Sequence, residues 1–152
     1  MILTEKETLA LKELQQQEKV CMEHYTLYAN TAKDCGLRDL FSQIAQDEQE
    51  HYQMLGEVLK GKIPSFSHAA SKADAYHPKA AYDPTSSQTD KQHDALLCAD
   101  SIGNEKLVSG DYNTNLFQFA SNDVRKLLNH IQTEEQEHAE MIYKYKQINN
   151  MA

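Results

Sequence analysis

Apolar residues recur at steps of three and four along four stretches of the chain. The first stripe runs through Leu11, Leu14, Cys21, Tyr25, Tyr28 and Ala32, the second through Leu37, Leu40, Phe41, Ile44, Leu55 and Val58. The third comprises Leu97, Cys98, Ile102, Val108, Tyr112, Leu116 and Phe119, and the fourth Val124, Leu127, Leu128, Ile131, Met141, Ile142, Tyr145 and Ile148. That step is the period of a helix with one buried face. Local signals give the ends. Thr4-x-x-Glu7 is a capping box and opens the first helix. Asp34-Cys35-Gly36 closes it, with Gly36 able to take a positive φ. The second helix is predicted from about Leu37 to Leu59, stopped by Gly61-Lys62-Ile63-Pro64. Ser87-x-x-Asp90 caps the third. Ser121-Asn122-Asp123 makes the next turn and starts a fourth helix that reaches about Asn149.

Six polar residues stand inside these apolar rows: Glu18, Glu48, His51, Glu105, Glu135 and His138. A carboxylate in a buried row is costly unless it is paired or binds a cation. The six are not scattered. Glu48 and His51 form Glu-x-x-His, as do Glu135 and His138, and residues three apart share a helix face. Each member of the first set recurs 87 positions later: Glu18 as Glu105, Glu48 as Glu135, His51 as His138. The same offset aligns Lys19, Tyr25, Arg38, Leu40, Ile44, Gln49, Glu50 and Met54 with Lys106, Tyr112, Arg125, Leu127, Ile131, Gln136, Glu137 and Met141. The chain therefore reads as a duplicated helical hairpin. In an antiparallel hairpin two residues share a height when their midpoint is the turn. The midpoints of Glu18 with Glu48 or His51 fall near Asp34–Gly36, and that of Glu105 with His138 falls at Ser121-Asn122, so each hairpin brings its ligands to one level.

Between the hairpins, residues 61–88 hold all three prolines of the chain, mixed with Ser, Ala, Asp and His. This is a long connection rather than a helix. A connection of that length allows a crossover between parallel helices instead of an up-down-up-down path. The expectation is one all-α domain over residues 1–152, with a hairpin at 4–60, a crossover loop at 61–88 and a hairpin at 89–149.

Composition narrows the chemistry. The net charge of −8 excludes a nucleic-acid binder, which needs a basic face. The same acidity suits a protein that gathers carboxylates around cations. Cys21, Cys35 and Cys98 are odd in number and form no CxxC, so reduced thiols are expected rather than a disulfide framework or zinc knuckle. No apolar run approaches a membrane span and no early run has signal-peptide form, so synthesis in the cytoplasm is expected.

Packing the hairpins face to face would assemble four carboxylates and two imidazoles. Two iron or manganese ions resolve the charge, since hard carboxylates with imidazole suit those metals and zinc sites usually take fewer ligands. Asp47, Glu50, Glu134 and Glu137 flank the rows, at the surface or just behind the ligands. His24, His68, His77, His93 and His130 have no matched partner and are read as surface residues. Tyr25 and Tyr112 each lie seven residues beyond a ligand Glu on the same face. They are core residues or, on a sharper reading, phenols that hydrogen-bond to ligands or take part in redox chemistry.

The six-residue pattern resembles the di-metal site of the ferritin-like superfamily, where a Tyr commonly holds the place of Tyr25. The paired Glu-x-x-His motifs look more like rubrerythrins, bacterioferritins and manganese catalases than like animal ferritins, although the CxxC pairs of rubrerythrins are absent. More closely, the chain is similar to the coat F family of spore-forming bacteria. The likeness is carried by Ile44-Ala45-Gln46-Asp47-Glu48-Gln49-Glu50-His51-Tyr52, by Glu105-Lys106 through Tyr112-Asn113-Thr114, and by Asn129 through His138. These resemblances imply a ferritin-like antiparallel four-helix bundle and association with the spore coat, as a homo-oligomer or with other coat proteins. Three activities are compatible: an oxidoreductase acting on O2 or H2O2, a structural coat protein with a structural or vestigial metal site, and, ranked last, iron storage.

Overall fold

The computed structural model describes residues 1–67 and 70–151. His68 of the sequence reading lies outside them. The described residues contain five α-helices and no strand: α1 (Glu5–Thr31), α2 (Cys35–Leu59), α3 (Lys72–Ala75), α4 (Gln88–Asn115) and α5 (Asn122–Ile148). The all-helical expectation holds, and the helix starts follow the capping residues. Thr4 and Glu7 form both bonds of the capping box, Glu7 N to Thr4 Oγ1 at 3.1 Å and Thr4 N to Glu7 Oε2 at 2.8 Å. Asp34, Ser87 and Ser121 cap α2, α4 and α5 by accepting from Leu37, Asp90 and Val124 N–H groups. Helix α2 ends as the Gly-Pro signal requires. Gly61 has φ +84°, and the Gly61 and Lys62 N–H groups return to Val58 and Glu57 carbonyls, closing the last turn.

Four expectations need correction. Gly36 has no positive φ and lies inside α2, because Asp34 already caps that helix two residues earlier. The crossover is not wholly irregular: Lys72–Ala75 forms one helical turn, seated by Ala73, which is fully buried. Helix α4 stops at Asn115, and the three-residue 3-10 turn Leu116–Gln118 then carries Leu116 and Phe119 into the core. Ile148, assigned to the buried stripe of α5, is 46% exposed, while Asn149 and Met151 just beyond it are buried.

Helix α1 packs along α2 and α4 along α5, while α1 also meets α4 and α2 meets α5. Side-chain contacts set the directions. Ala120 N donates to Glu7 at one end of the molecule, and Tyr145 OH donates to Asp34 at the other. Neighbouring helices are therefore antiparallel. Helices α2 and α4 run the same way, so the crossover that joins them travels the length of the molecule. The core divides into two apolar clusters. One gathers Leu11, Leu14, Leu55, Val124 and Leu128, the other Leu37, Phe41, Ile44, Leu97 and Ile142. The six polar intruders lie between them.

One buried carboxylate outside this level ties the crossover end together. Asp94 is fully buried and accepts from the Lys33 N–H at 2.8 Å, the Asp34 N–H at 2.9 Å and the Tyr82 hydroxyl at 2.7 Å. Burial alone would raise its carboxyl. The two backbone donors, Tyr82 and His93 outweigh burial and hold it below the usual carboxylate range. Asp94→Ala would strand two backbone N–H groups of the α1–α2 turn. It is expected to lower the unfolding free energy by about 3 kcal/mol in chemical denaturation. Because the folded-state value is depressed, this contribution is present above the unfolded carboxylate value and lost as pH falls through the folded one.

Candidate metal centre

All six residues singled out by the repeat converge. Glu18 on α1, Glu48 and His51 on α2, Glu105 on α4, and Glu135 and His138 on α5 are each no more than 2% exposed. They form two overlapping sets. In one, Glu18, Glu48, His51 and Glu135 place a ligand atom each within 4.8 Å of one another; in the other, Glu48, Glu105, Glu135 and His138 do the same. Glu48 and Glu135 belong to both. Helical spacing produces this directly: Glu-x-x-His sets carboxylate and imidazole on one face of α2 and of α5, and those helices face each other.

Both histidines turn Nδ1 toward the glutamates. His51 turns Nδ1 toward Glu135 at 3.0 Å and toward Glu18 and Glu48 at 3.7 Å. His138 turns Nδ1 toward Glu48 at 3.0 Å, Glu105 at 3.5 Å and Glu135 at 3.7 Å. Their Nε2 atoms face outward. That of His138 lies 3.0 Å from Asp47, and that of His51 lies 3.5 Å from Glu134. At His138 the Asp47 carboxylate behind the imidazole fixes the tautomer that leaves the Nδ1 lone pair for a cation, whereas His51 Nε2 makes no hydrogen bond and its Nδ1 bonds Glu135. Lys72, from α3, reaches Asp47 at 2.6 Å and Glu134 at 3.8 Å, so one ammonium offsets part of the charge of both supporting carboxylates.

The phenols cross between hairpins. Tyr25 donates to Glu105, and Tyr112 donates to Glu18 at 2.5 Å. Both hydroxyls are buried, and burial together with the adjacent carboxylate pushes each well above the ordinary phenol value. They therefore remain donors that orient a carboxylate, leaving its other oxygen available.

The electrostatics are those of a site short of positive charge. Burial, then the Glu135 charge, raises the carboxyls of Glu18, Glu48 and Glu105. Glu135 goes the other way. Burial would raise it, but hydrogen bonds from Glu105, His138 and His51 hold it well below the usual range. Burial would lower both histidines, yet the facing glutamates, Glu18 for His51 and Glu105 for His138, raise them. Even so, Glu18 Oε2, both Glu48 oxygens, Glu105 Oε2, Glu135 Oε2 and His138 Nδ1 lack a hydrogen-bond partner, as does the outward-facing His51 Nε2. Buried polar atoms are rarely left unpartnered. Here all of these but His51 Nε2 converge, and they are hard oxygen and imidazole nitrogen donors. The residues fit a pair of divalent cations.

Sequence reasoning missed three parts of this arrangement. Asp47 was left undecided between surface and support, and it is 1% exposed behind His138. The signal was available, since Asp47 and Glu134 are acidic residues related by the same 87-position offset. His130, read as a surface residue, has a side chain only 11% exposed and sits 2.8 Å from Glu134. Lys72 lay in a segment with no periodic pattern to place it. His24 is half-buried, its Nε2 3.0 Å from Ser101 Oγ.

No helix among the described residues is long and apolar enough to cross a membrane. Neither a curated protein nor a solved structure matches the chain. Residues 93–151, which hold most of α4, all of α5 and the candidate ligands Glu105, Glu135 and His138, match the family model of the Coat F domain.

Proposed function

We propose that this chain is a ferritin-like four-helix protein of the spore coat that binds two iron or manganese ions. The observation that carries the metal reading is the pair of overlapping ligand sets sharing Glu48 and Glu135, buried and with unpartnered donor atoms. Glu18 and His51 would hold one ion, Glu105 and His138 the other, and the two shared carboxylates would lie between them. The Coat F match supports the spore-coat placement. In this reading the ions join the two hairpins through their central layer, and the protein's role is structural. Homo-oligomers or contacts with other coat proteins follow as its working context.

A second reading, turnover of O2 or H2O2, draws on a specific observation. Each phenol holds the carboxylate that only one ligand set contains, Glu18 or Glu105, through one oxygen. A bound iron or manganese pair would supply electron transfer to a small oxidant. Tyr25 and Tyr112 would keep those terminal carboxylates oriented, while Asp47 and Glu134 would hold the imidazoles.

Metal counting tests the proposal. Protein purified without chelator is expected to carry about two iron or manganese ions per chain. Glu48→Ala should lose both, because both sets share that carboxylate. A folded wild type that rejects both ions on anaerobic reconstitution would overturn the metal site. A fully loaded site with no peroxide or oxygen turnover would leave the structural role as the function.

A further inference from the structure

The internal repeat lets one half of the molecule serve as a control for the other. A cleft of about 370 Å³ opens between α4 and α5, lined by Glu105, Lys106, Ser109, Glu135, Gln136 and Ala139. Glu105 and Glu135, two of the proposed ligands, form its floor, each no more than 2% exposed. The groove between α1 and α2 is lined by residues that include Met22, Thr26 and Gln49, and its lining contains neither Glu18 nor Glu48. With the 87-position offset, Lys106 and Gln136 correspond to Lys19 and Gln49, identical residues. Ser109 and Ala139 correspond to Met22 and Tyr52. Of the positions equivalent to the α4–α5 lining, only Met22 and Gln49 border the α1–α2 groove, which lies further along the hairpin, and the half-buried Ser109 and Ala139 are replaced by the bulkier Met22 and Tyr52. Glu105 and Glu135 each keep a buried, unpartnered Oε2 beneath this floor, and both belong to the ligand set of His138. A third cavity, beneath the crossover, is lined by Lys72, His130 and Glu134 and includes no ligand of either set.

We infer that small exogenous ligands reach the pair through the α4–α5 cleft, at the ion held by Glu105 and His138, and that Ser109 and Ala139 keep this port open. The inference rests on the dinuclear reading above. The chemistry of the lining selects the ligand class. A lysine ammonium, an amide and a hydroxyl around a narrow cleft suit a small molecule that is neutral or carries one negative charge, such as a peroxide or an azide ion. The two ions are therefore unequal: the one beside His51 is shielded on the corresponding side by Met22 and Tyr52.

The test uses the full chain loaded with Co²⁺ to two ions, counted by metal analysis, with azide as the probe and the visible cobalt bands as the readout. The wild type is expected to bind azide. Ser109→Met and Ala139→Tyr each import the side chain that the first hairpin carries at the same place. With metal content unchanged, each should slow association or weaken binding about tenfold or more. Ser109→Val is the milder variant should the larger side chains disturb folding, and it should shift the same readout in the same direction. Met22→Ser, in the other groove, should leave azide binding to the wild-type site intact. Variants with a full cobalt count that bind azide as fast and as tightly as wild type would overturn the port while leaving the metal centre standing. A wild type that takes up no metal would overturn both.

Discussion

Loading the metal-free chain with Mn²⁺ or anaerobic Fe²⁺ is expected to raise its melting temperature by about 10 °C. A ligand that binds only the folded state, at free concentrations near a thousand times its dissociation constant, stabilises by about 4 kcal/mol. For a domain of this size each kcal/mol moves the midpoint by about 2–4 °C. The physical source is the central layer. Four glutamates and two histidines, none more than 2% exposed, separate two apolar clusters and leave converging donor atoms without partners. Cations would satisfy those atoms and draw α1, α2, α4 and α5 onto shared ligands. Glu48→Gln should abolish most of the metal-induced shift, because Glu48 serves both sets. The same substitution should cost the metal-free protein much less, since an amide removes a charge from a carboxylate-rich layer while remaining able to hydrogen-bond. Differential scanning calorimetry of both proteins with and without metal decides it. Equal melting temperatures for loaded and metal-free wild type would remove the structural role assigned to the ions.

Much of this layer was legible before any coordinates. Polar residues inside an apolar helical stripe are improbable unless they have partners, and Glu18 and Glu105 were conspicuous for that reason. The 87-position repeat then supplied the partners, and the midpoint rule supplied their height. What remained illegible involves contacts between hairpins and from the crossover. Nothing in the local pattern tells that Tyr25 reaches across to Glu105 and Tyr112 to Glu18, because i to i+7 spacing gives a shared face but not the neighbour opposite. Lys72 was hidden for a different reason. Its turn of helix has four residues, too short to show a period, and is held by burial of Ala73 and by the bond from Lys144 to the Ala73 carbonyl. The misassigned Gly36 shows how an aspartate competes with a glycine for the same turn. Once Asp34 caps α2 and receives the Tyr145 hydroxyl, no left-handed residue is required.

Metal-free and metal-loaded forms should respond to pH in opposite directions. In the metal-free chain, Glu18, Glu48 and Glu105 have folded-state values raised by burial and by neighbouring carboxylates. A raised value means that the folded state holds protons the unfolded chain has released. The stability each contributes is complete below the unfolded carboxylate value, about 4.3, and is lost as pH climbs through the folded one. His51 and His138, raised by the glutamates they face, contribute fully below about 6.5 and lose that contribution above it. Glu135 opposes them, being depressed, and its contribution disappears as pH falls through its folded value. Between pH 5.5 and 8 Glu135 is ionised in both states and only His24, lowered by burial, opposes the five raised groups, so the metal-free protein is less stable at pH 8 than at pH 5.5, by about 1.4 kcal/mol for each unit of net shift traversed. Cations reverse the dependence, because they compete with those protons for the same oxygen and nitrogen atoms. Metal affinity should therefore tighten as pH rises, protons should be released on binding, and the gap in melting temperature between loaded and chelated protein should widen from pH 5.5 to 8. Titration calorimetry in two buffers of different ionisation enthalpy reads the released protons, and denaturant melts at the two pH values read the gap. A chelated protein equally stable at both pH values, with metal binding that releases no protons, would mean that the six residues are not the coupled, proton-holding cluster from which the metal site has been argued.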